Sequence, residues 1–105
     1  MILAIDIGNT TVTLGGVRIA PQQAYSLEFT ARIDINHTWS VSQYESAIEQ
    51  LFEDKNLSPS DFRGVIISSV VPSVLTLLQE CVRNLFGTEP VSYTHLRAHE
   101  TTLHL

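Results

Sequence analysis

A carboxylate, a glycine and several small polar side chains cluster near the N-terminus: Asp6, Gly8, Asn9, Thr10, Thr11 and Thr13. They lie between a short apolar run, Met1-Ile2-Leu3-Ala4-Ile5, and a second β-like run from Val12 to Ile19. A carboxylate can hold a divalent cation or its water shell, while hydroxyls and backbone N–H groups can meet phosphate oxygens. Glycine lets the backbone come close to such a ligand. The same residues would fill a core badly. The pattern is not a G-x-x-x-x-G-K-[ST] loop, because no lysine is near and a strand follows instead of a helix. A dinucleotide fingerprint also requires a following helix. On residue types alone an ordinary hairpin turn stays open as the alternative.

Other reactive side chains are fewer. The single cysteine, Cys81, falls in an apolar helical pattern and reads as a buried small hydrophobe; one cysteine also excludes an intrachain disulfide or thiolate zinc site. His95 and His99 have the i, i+4 spacing that can hold a metal on a helix, but the following Glu100 is outside the zincin order and no third ligand is apparent. His37 and Trp39 lie in a polar connection and read as a loop packed against the sheet. Glu45, Glu49 and Glu53 read as a solvated acidic stripe, and Ser68 and Ser69 as a strand end leading into a helix.

Composition narrows the classes. The chain has 105 residues, 44% of them hydrophobic, which fits one small domain with a core. The formal net charge is −5 and the six basic residues are scattered, so neither nucleic acid nor an anionic membrane is the expected partner. Asp6 interrupts the N-terminal apolar run and no basic stretch precedes it, so a signal peptide is not expected. No apolar run reaches membrane-spanning length, and the expected location is the cytoplasm.

The elements that must hold the turn follow from periodicity. Strands are expected over residues 2–7 and 12–19, with Gly15-Gly16 marking a bulge or close approach, then a turn at Pro21-Gln22-Gln23. Residues 24–33 alternate, with Tyr25, Leu27, Phe29, Ala31 and Ile33 on one face. Ser42-Gln43-Tyr44-Glu45 has capping-box spacing and predicts a helix from Ser42 to about Lys55, with Tyr44, Ala47, Ile48, Leu51 and Phe52 on its apolar face. A short turn at Ser58–Asp61, a buried strand from Gly64 to Val71, and a helix opened by Pro72 and stopped by Gly87 come next. Pro90-Val91 could begin another strand. The order β-β-β-α-β-α-(β) predicts an α/β domain: a mixed sheet with helices packed on it.

That order, with Met1-Ile2-Leu3-Ala4-Ile5-Asp6-Ile7-Gly8-Asn9-Thr10, Ala31-Arg32-Ile33 and Gly64-Val65-Ile66-Ile67-Ser68-Ser69-Val70-Val71-Pro72, resembles the first domain of the acetate kinase, sugar kinase, Hsp70 and actin superfamily. Within it the chain is most similar to type III pantothenate kinases. The resemblance covers roughly residues 1–91 and implies a ribonuclease H-like, actin-like ATPase half-domain, incomplete as it stands. It implies ATP-dependent phosphorylation of pantothenate to 4'-phosphopantothenate, the first step of coenzyme A biosynthesis. By the same resemblance Asp6, Ile7, Gly8, Asn9, Thr10, Thr11, Val12 and Thr13 meet the ATP phosphates. Asp6 also serves a divalent cation, Mg2+ being expected. A homodimer is implied too, and a monovalent cation whose site lies in the part of the family's sequence with no counterpart here.

Residues 92–105 depart from the pattern. The family's Gly-Pro-Gly turn and its Gly-Ala-Asp-Arg motif, whose Asp acts as general base, are not in this sequence. The stretch from Ser92 to Leu105 resembles instead the in-frame translation of a sequencing adapter. The chain alone is therefore expected to be inactive, to have no catalytic residue of its own, and to be poorly soluble through uncovered sheet edge and helix surface. A non-catalytic binding or regulatory protein using the same half-domain is the alternative.

Overall fold

Alternating apolar residues over the first third of the chain build three strands, and i, i+3, i+4 patterns build two helices laid on one side of them. The computed structural model describes residues 1–19 and 25–94. The elements are β1 (Ile2–Ile7), β2 (Thr11–Ile19), β3 (Tyr25–Asp34), α1 (Val41–Asp54), a 3-10 turn (Pro59–Asp61), β4 (Gly64–Ser69), α2 (Pro72–Phe86) and β5 (Val91–Thr94). This is the expected order, and β5 crosses the boundary set at residue 92. The turn expected at Pro21-Gln22-Gln23, and His95, His99 and the rest of the tail, lie outside the described residues.

The five strands form one sheet in the order β3-β2-β1-β4-β5. β1 and β2 are antiparallel, as are β2 and β3, while β1–β4 and β4–β5 are parallel. Strands β1, β3, β4 and β5 therefore run the same way and end on one edge. On that edge lie the turn after β1, the connection after β3 and the start of α2. The chain is tied together there by the Val70 N–H donating to the Ile7 carbonyl at 3.1 Å and the Ile35 N–H to the Thr10 carbonyl at 2.9 Å.

Both helices cover the same face. Tyr44, Ile48 and Phe52 of α1 and Val74, Leu78, Cys81 and Val82 of α2 share one core with Leu3, Ile5, Ile7, Val12, Leu14, Val65 and Ile67. Successive side chains of a strand point to opposite faces. Ala4, Asp6, Thr11, Thr13 and Ser68 consequently belong to the other face, on which no described helix packs. None of the described helices is long and apolar enough to cross a membrane.

Three local expectations meet their physical limits here. The register of β2 on β3 shifts between Gly16 and Val17. A Cβ on Gly16 would run into the Phe29 ring, so the close approach expected at the glycine pair is real and falls on Gly16. Beyond that bulge the alternation of β3 stops buying burial: Phe29, Ala31 and Ile33 are half-buried, but Tyr25 is 77% and Leu27 53% exposed, because neither described helix reaches that end of the hairpin. Helix α1 starts one turn-fraction earlier than expected, with Ser40, not Ser42, as its N-cap. The Ser40 N–H donates to Gln43 Oε1 at 2.8 Å. Trp39 and Tyr44, flanking that box, pack edge-to-face at 5.1 Å as a hydrophobic staple, which selects Ser40 over Ser42. Glu45, freed from capping, accepts from Asn84 Nδ2 at 2.7 Å and ties α1 to α2. Helix α2 ends as its sequence requires, with Gly87 left-handed at φ 67° and its N–H bonded to the Arg83 carbonyl at 3.0 Å.

Candidate functional site

The turn after β1 sits at the carboxyl edge of the parallel strands, where open α/β sheets bind ligands. Its residues divide by face. Ile7 and Val12 point into the core and are fully buried, so they can offer a ligand only backbone groups. Asp6, Thr11 and Thr13 point to the open face and are half-buried; Asn9 and Thr10, at the tip, are exposed.

Register assembles more than the turn. Asp6 lies opposite Thr13 on β2 and opposite Ser68 on β4, and Arg32 of β3 lies opposite Thr13. The row Arg32-Thr13-Asp6-Ser68 therefore crosses four strands on the open face. In the sequence Arg32 and Ser68 stand within the stretches that carry the family resemblance, Ser68 reading as a strand end that leads into a helix. Nothing in local spacing marks either as a neighbour of Asp6, since only strand pairing does so.

The two serines that end β4 differ. Ser69 Oγ accepts from the Val71 N–H at 2.9 Å and donates to the Val71 carbonyl at 3.0 Å, a local loop that closes the strand before α2. It does the structural work expected of it. Ser68 Oγ is buried and, among the described residues, has no hydrogen-bond partner. A buried hydroxyl left unpaired costs about 1–3 kcal/mol, so its presence beside a carboxylate calls for a reason.

The turn is built to leave groups free. The Gly8 N–H donates to the Thr11 carbonyl at 2.9 Å and closes the hairpin. Among the described residues the N–H groups of Asn9 and Thr10 have no protein acceptor. Gly8 is not forced by the fold: its φ is not positive, and a Cβ there would meet only the Thr11 carbonyl, at an ordinary 3.5 Å. What the missing Cβ provides is room above the turn.

Among the described residues no three His, Cys, Asp or Glu side chains converge to hold a metal. A cage made wholly of protein ligands does not fit. A hydrated Mg2+ does, since that ion keeps several waters and is held by one or two carboxylates plus substrate phosphates. Asp6 is the half-buried carboxylate of the open face, while Asp34, opposite Thr11, is exposed, and the orphaned Ser68 hydroxyl lies beside Asp6.

The remaining candidates settle into structural places. Cys81 is fully buried, and burial, reinforced by Glu45, pushes its thiol up to about 12, so it stays protonated and is no nucleophile. His37 is exposed. Trp39 packs on Tyr44 and the margin of the core. Glu49 and Glu53 are exposed, while Glu45 is half-buried in its contact with Asn84.

Comparison with known proteins gives the same frame. Two structures of RuvC from Thermus thermophilus, one in complex with a Holliday junction substrate, share the fold with TM-scores of 0.60. The identities are 11% and 15%; the alignments cover 90% and 89% of this chain and 66% and 60% of the RuvC chains, and they concern the fold alone. The architecture is thus the ribonuclease H-like, actin-like one expected. Among curated proteins, the type III pantothenate kinase of Anaeromyxobacter dehalogenans (strain 2CP-C) is 39% identical over 92 residues. That of Exiguobacterium sp. (strain ATCC BAA-1283 / AT1b) is 34% identical over 91. Both alignments cover 87% of this chain, which spans 34% of each relative's length. The family's sequence model, described as type III pantothenate kinase, matches residues 2–104. The chain belongs to the type III pantothenate kinase family.

Proposed function

We propose that the open face around Asp6 is the ATP-phosphate side of a kinase site, serving ATP-dependent phosphorylation of pantothenate. The observation that carries this reading is the row of Asp6 and Thr13 at the carboxyl edge of the parallel strands, below a turn whose Asn9 and Thr10 N–H groups have no acceptor among the described residues. Phosphoryl transfer asks a protein mainly for positioning and charge neutralisation. Here Asp6 would hold the water shell of a divalent cation, which when bound neutralises charge on the transferring phosphate. The free N–H groups of the turn and the hydroxyls of Thr10, Thr11 and Thr13 would orient phosphate oxygens. Gly8 leaves the space in which they lie. Ile7 and Val12 keep the turn in place from below.

The chain contains neither a Gly-Pro-Gly turn nor a Gly-Ala-Asp-Arg motif. We therefore propose that it binds nucleotide and does not turn over pantothenate by itself. Calorimetric titration of the purified chain with ATP, with and without Mg2+, tests the first statement. Mg2+-dependent binding that is lost in Asp6→Asn is the expected result, and its absence in the unaltered chain would overturn the reading. A coupled assay with ATP and pantothenate tests the second: turnover comparable to that of a longer family member would sink it.

A further inference from the structure

We infer that Ser68 is a positioning residue for Asp6: in the cation-loaded state its hydroxyl donates a hydrogen bond to the Asp6 carboxylate and fixes which oxygen faces the cation's water shell. The inference rests on the reading of Asp6 given above and adds a residue to it.

Three observations carry it. Ser68 Oγ is the buried side-chain oxygen that finds no partner among the described residues. Ser68 and Asp6 are register partners on parallel strands, so both side chains leave the same face at adjacent positions. The other side chain paired across from Asp6, Thr13, is also a hydroxyl, so the carboxylate is flanked on both strands by donors. The neighbouring serine shows that the unpaired state is not a general feature of this strand end, because Ser69 Oγ is satisfied twice by Val71.

The chemistry follows from these positions. A serine hydroxyl reaches a new partner by rotating about χ1, a change between staggered wells that needs no backbone movement. Asp6 is half-buried and can turn toward it. A carboxylate that binds a cation through one oxygen has its other oxygen free to accept. A hydroxyl donating there orients the ligand and holds it against rotation, and loss of such an outer partner typically lowers metal affinity about 10–100-fold. A serine that served packing alone would be better replaced by alanine at a site with no partner.

The test uses the full 105-residue chain with Mn2+ as probe, its binding followed by electron paramagnetic resonance in the presence of ATP, and thermal unfolding of the cation-free protein as a second readout. Ser68→Ala is expected to weaken Mn2+ binding about 10–100-fold. The cation-free midpoint should stay in place or rise, since no hydrogen bond is lost. Ser68→Thr, which keeps a hydroxyl at this position, should retain most of the affinity that Ser68→Ala loses. Unchanged Mn2+ affinity in Ser68→Ala overturns the assignment while leaving the phosphate-site reading intact. So does a loss in Ser68→Thr as large as that in Ser68→Ala, which would mean that the hydroxyl is not what acts. A lowered cation-free midpoint in Ser68→Ala would show a hydroxyl already satisfied in the resting fold and would also overturn it. If the unaltered chain binds no Mn2+ with ATP, the reading of Asp6 fails and this inference fails with it.

Discussion

The two faces of the central strand are made from alternate residues of one hexapeptide and serve opposite ends. Leu3, Ile5 and Ile7 point under the helices and are fully buried. Ala4 and Asp6 point away from them, toward Thr13, Ser68 and the free edge of the turn. On the covered face the neighbours are apolar except Ser69, opposite Ile7, whose hydroxyl is satisfied by Val71, and the main question is volume. On the open face a carboxylate, two hydroxyls and N–H groups unpaired among the described residues meet, and one hydroxyl finds no partner among those residues. The contrast teaches that stability and chemistry are separated here by a shift of one residue along β1.

That separation can be broken from the covered side first. Leu78 lies fully buried against the sheet, so Leu78→Ala is expected to cost about 2–5 kcal/mol, through lost transfer energy and the cavity left behind. Urea unfolding measures it, and a loss under about 1 kcal/mol would mean that the covered face is not close-packed. The two glycines give a sharper version of the comparison. Gly16→Ala drives a methyl group into the Phe29 ring on the covered side and is expected to destabilise by about 1–3 kcal/mol. Gly8→Ala meets only ordinary contact and should leave stability within about 1 kcal/mol, while weakening Mg2+–ATP binding. If both substitutions changed stability equally, Gly8 would be structural and the argument for room above the turn would collapse.

From the open side, Asp6→Asn should scarcely move the thermal midpoint of the free protein. ATP and Mg2+ at about 100 times the dissociation constant should stabilise the unaltered chain by about 2.7 kcal/mol, and this increment should vanish in the variant. A variant that unfolds many degrees earlier without ligand would place Asp6 among the structural residues.

The smallest expected effect concerns Cys81. Its thiol keeps its proton up to about 12 in the fold, while an unfolded thiol loses it at about 8.5. Between those values the native state binds more protons than the unfolded one, so Cys81 contributes stability below about pH 8.5 that is lost as pH rises toward 12. Cys81→Ala should flatten that part of the stability–pH curve. Iodoacetamide at pH 8 should modify the native thiol slowly and the urea-unfolded thiol quickly; rapid native labelling would contradict the burial.

Part of this was legible without a structure. The apolar runs, the 3.6-residue face of α1 and α2, Pro72 and Gly87 at the ends of α2 and the polar turn at Asp6 all depend on neighbours within a few residues, and they stand where the sequence puts them. Errors arose where two local solutions had similar merit. Ser40 and Ser42 both offer a cap with an acceptor three residues on, and the choice fell to Ser40 because Trp39 packs on Tyr44. The alternation of β3 extends past the point where the described elements cover it, so Tyr25 and Leu27 share a face with Phe29, Ala31 and Ile33 in the sequence and yet are exposed.

Sequence by itself therefore determined the elements, their order and the chemical character of the turn, because hydrophobic periodicity and backbone preference act over short distances. It also carried the family. Tertiary structure alone decided which groups share the open face with Asp6. Ser68 is sixty-two positions away along the chain, and it becomes a neighbour only through the parallel register of β1 on β4. That register is fixed by burying Leu3, Ile5, Val65 and Ile67 together under the helices, since a slip of β4 by one residue would turn Val65 and Ile67 out and bring Ser68 into the core.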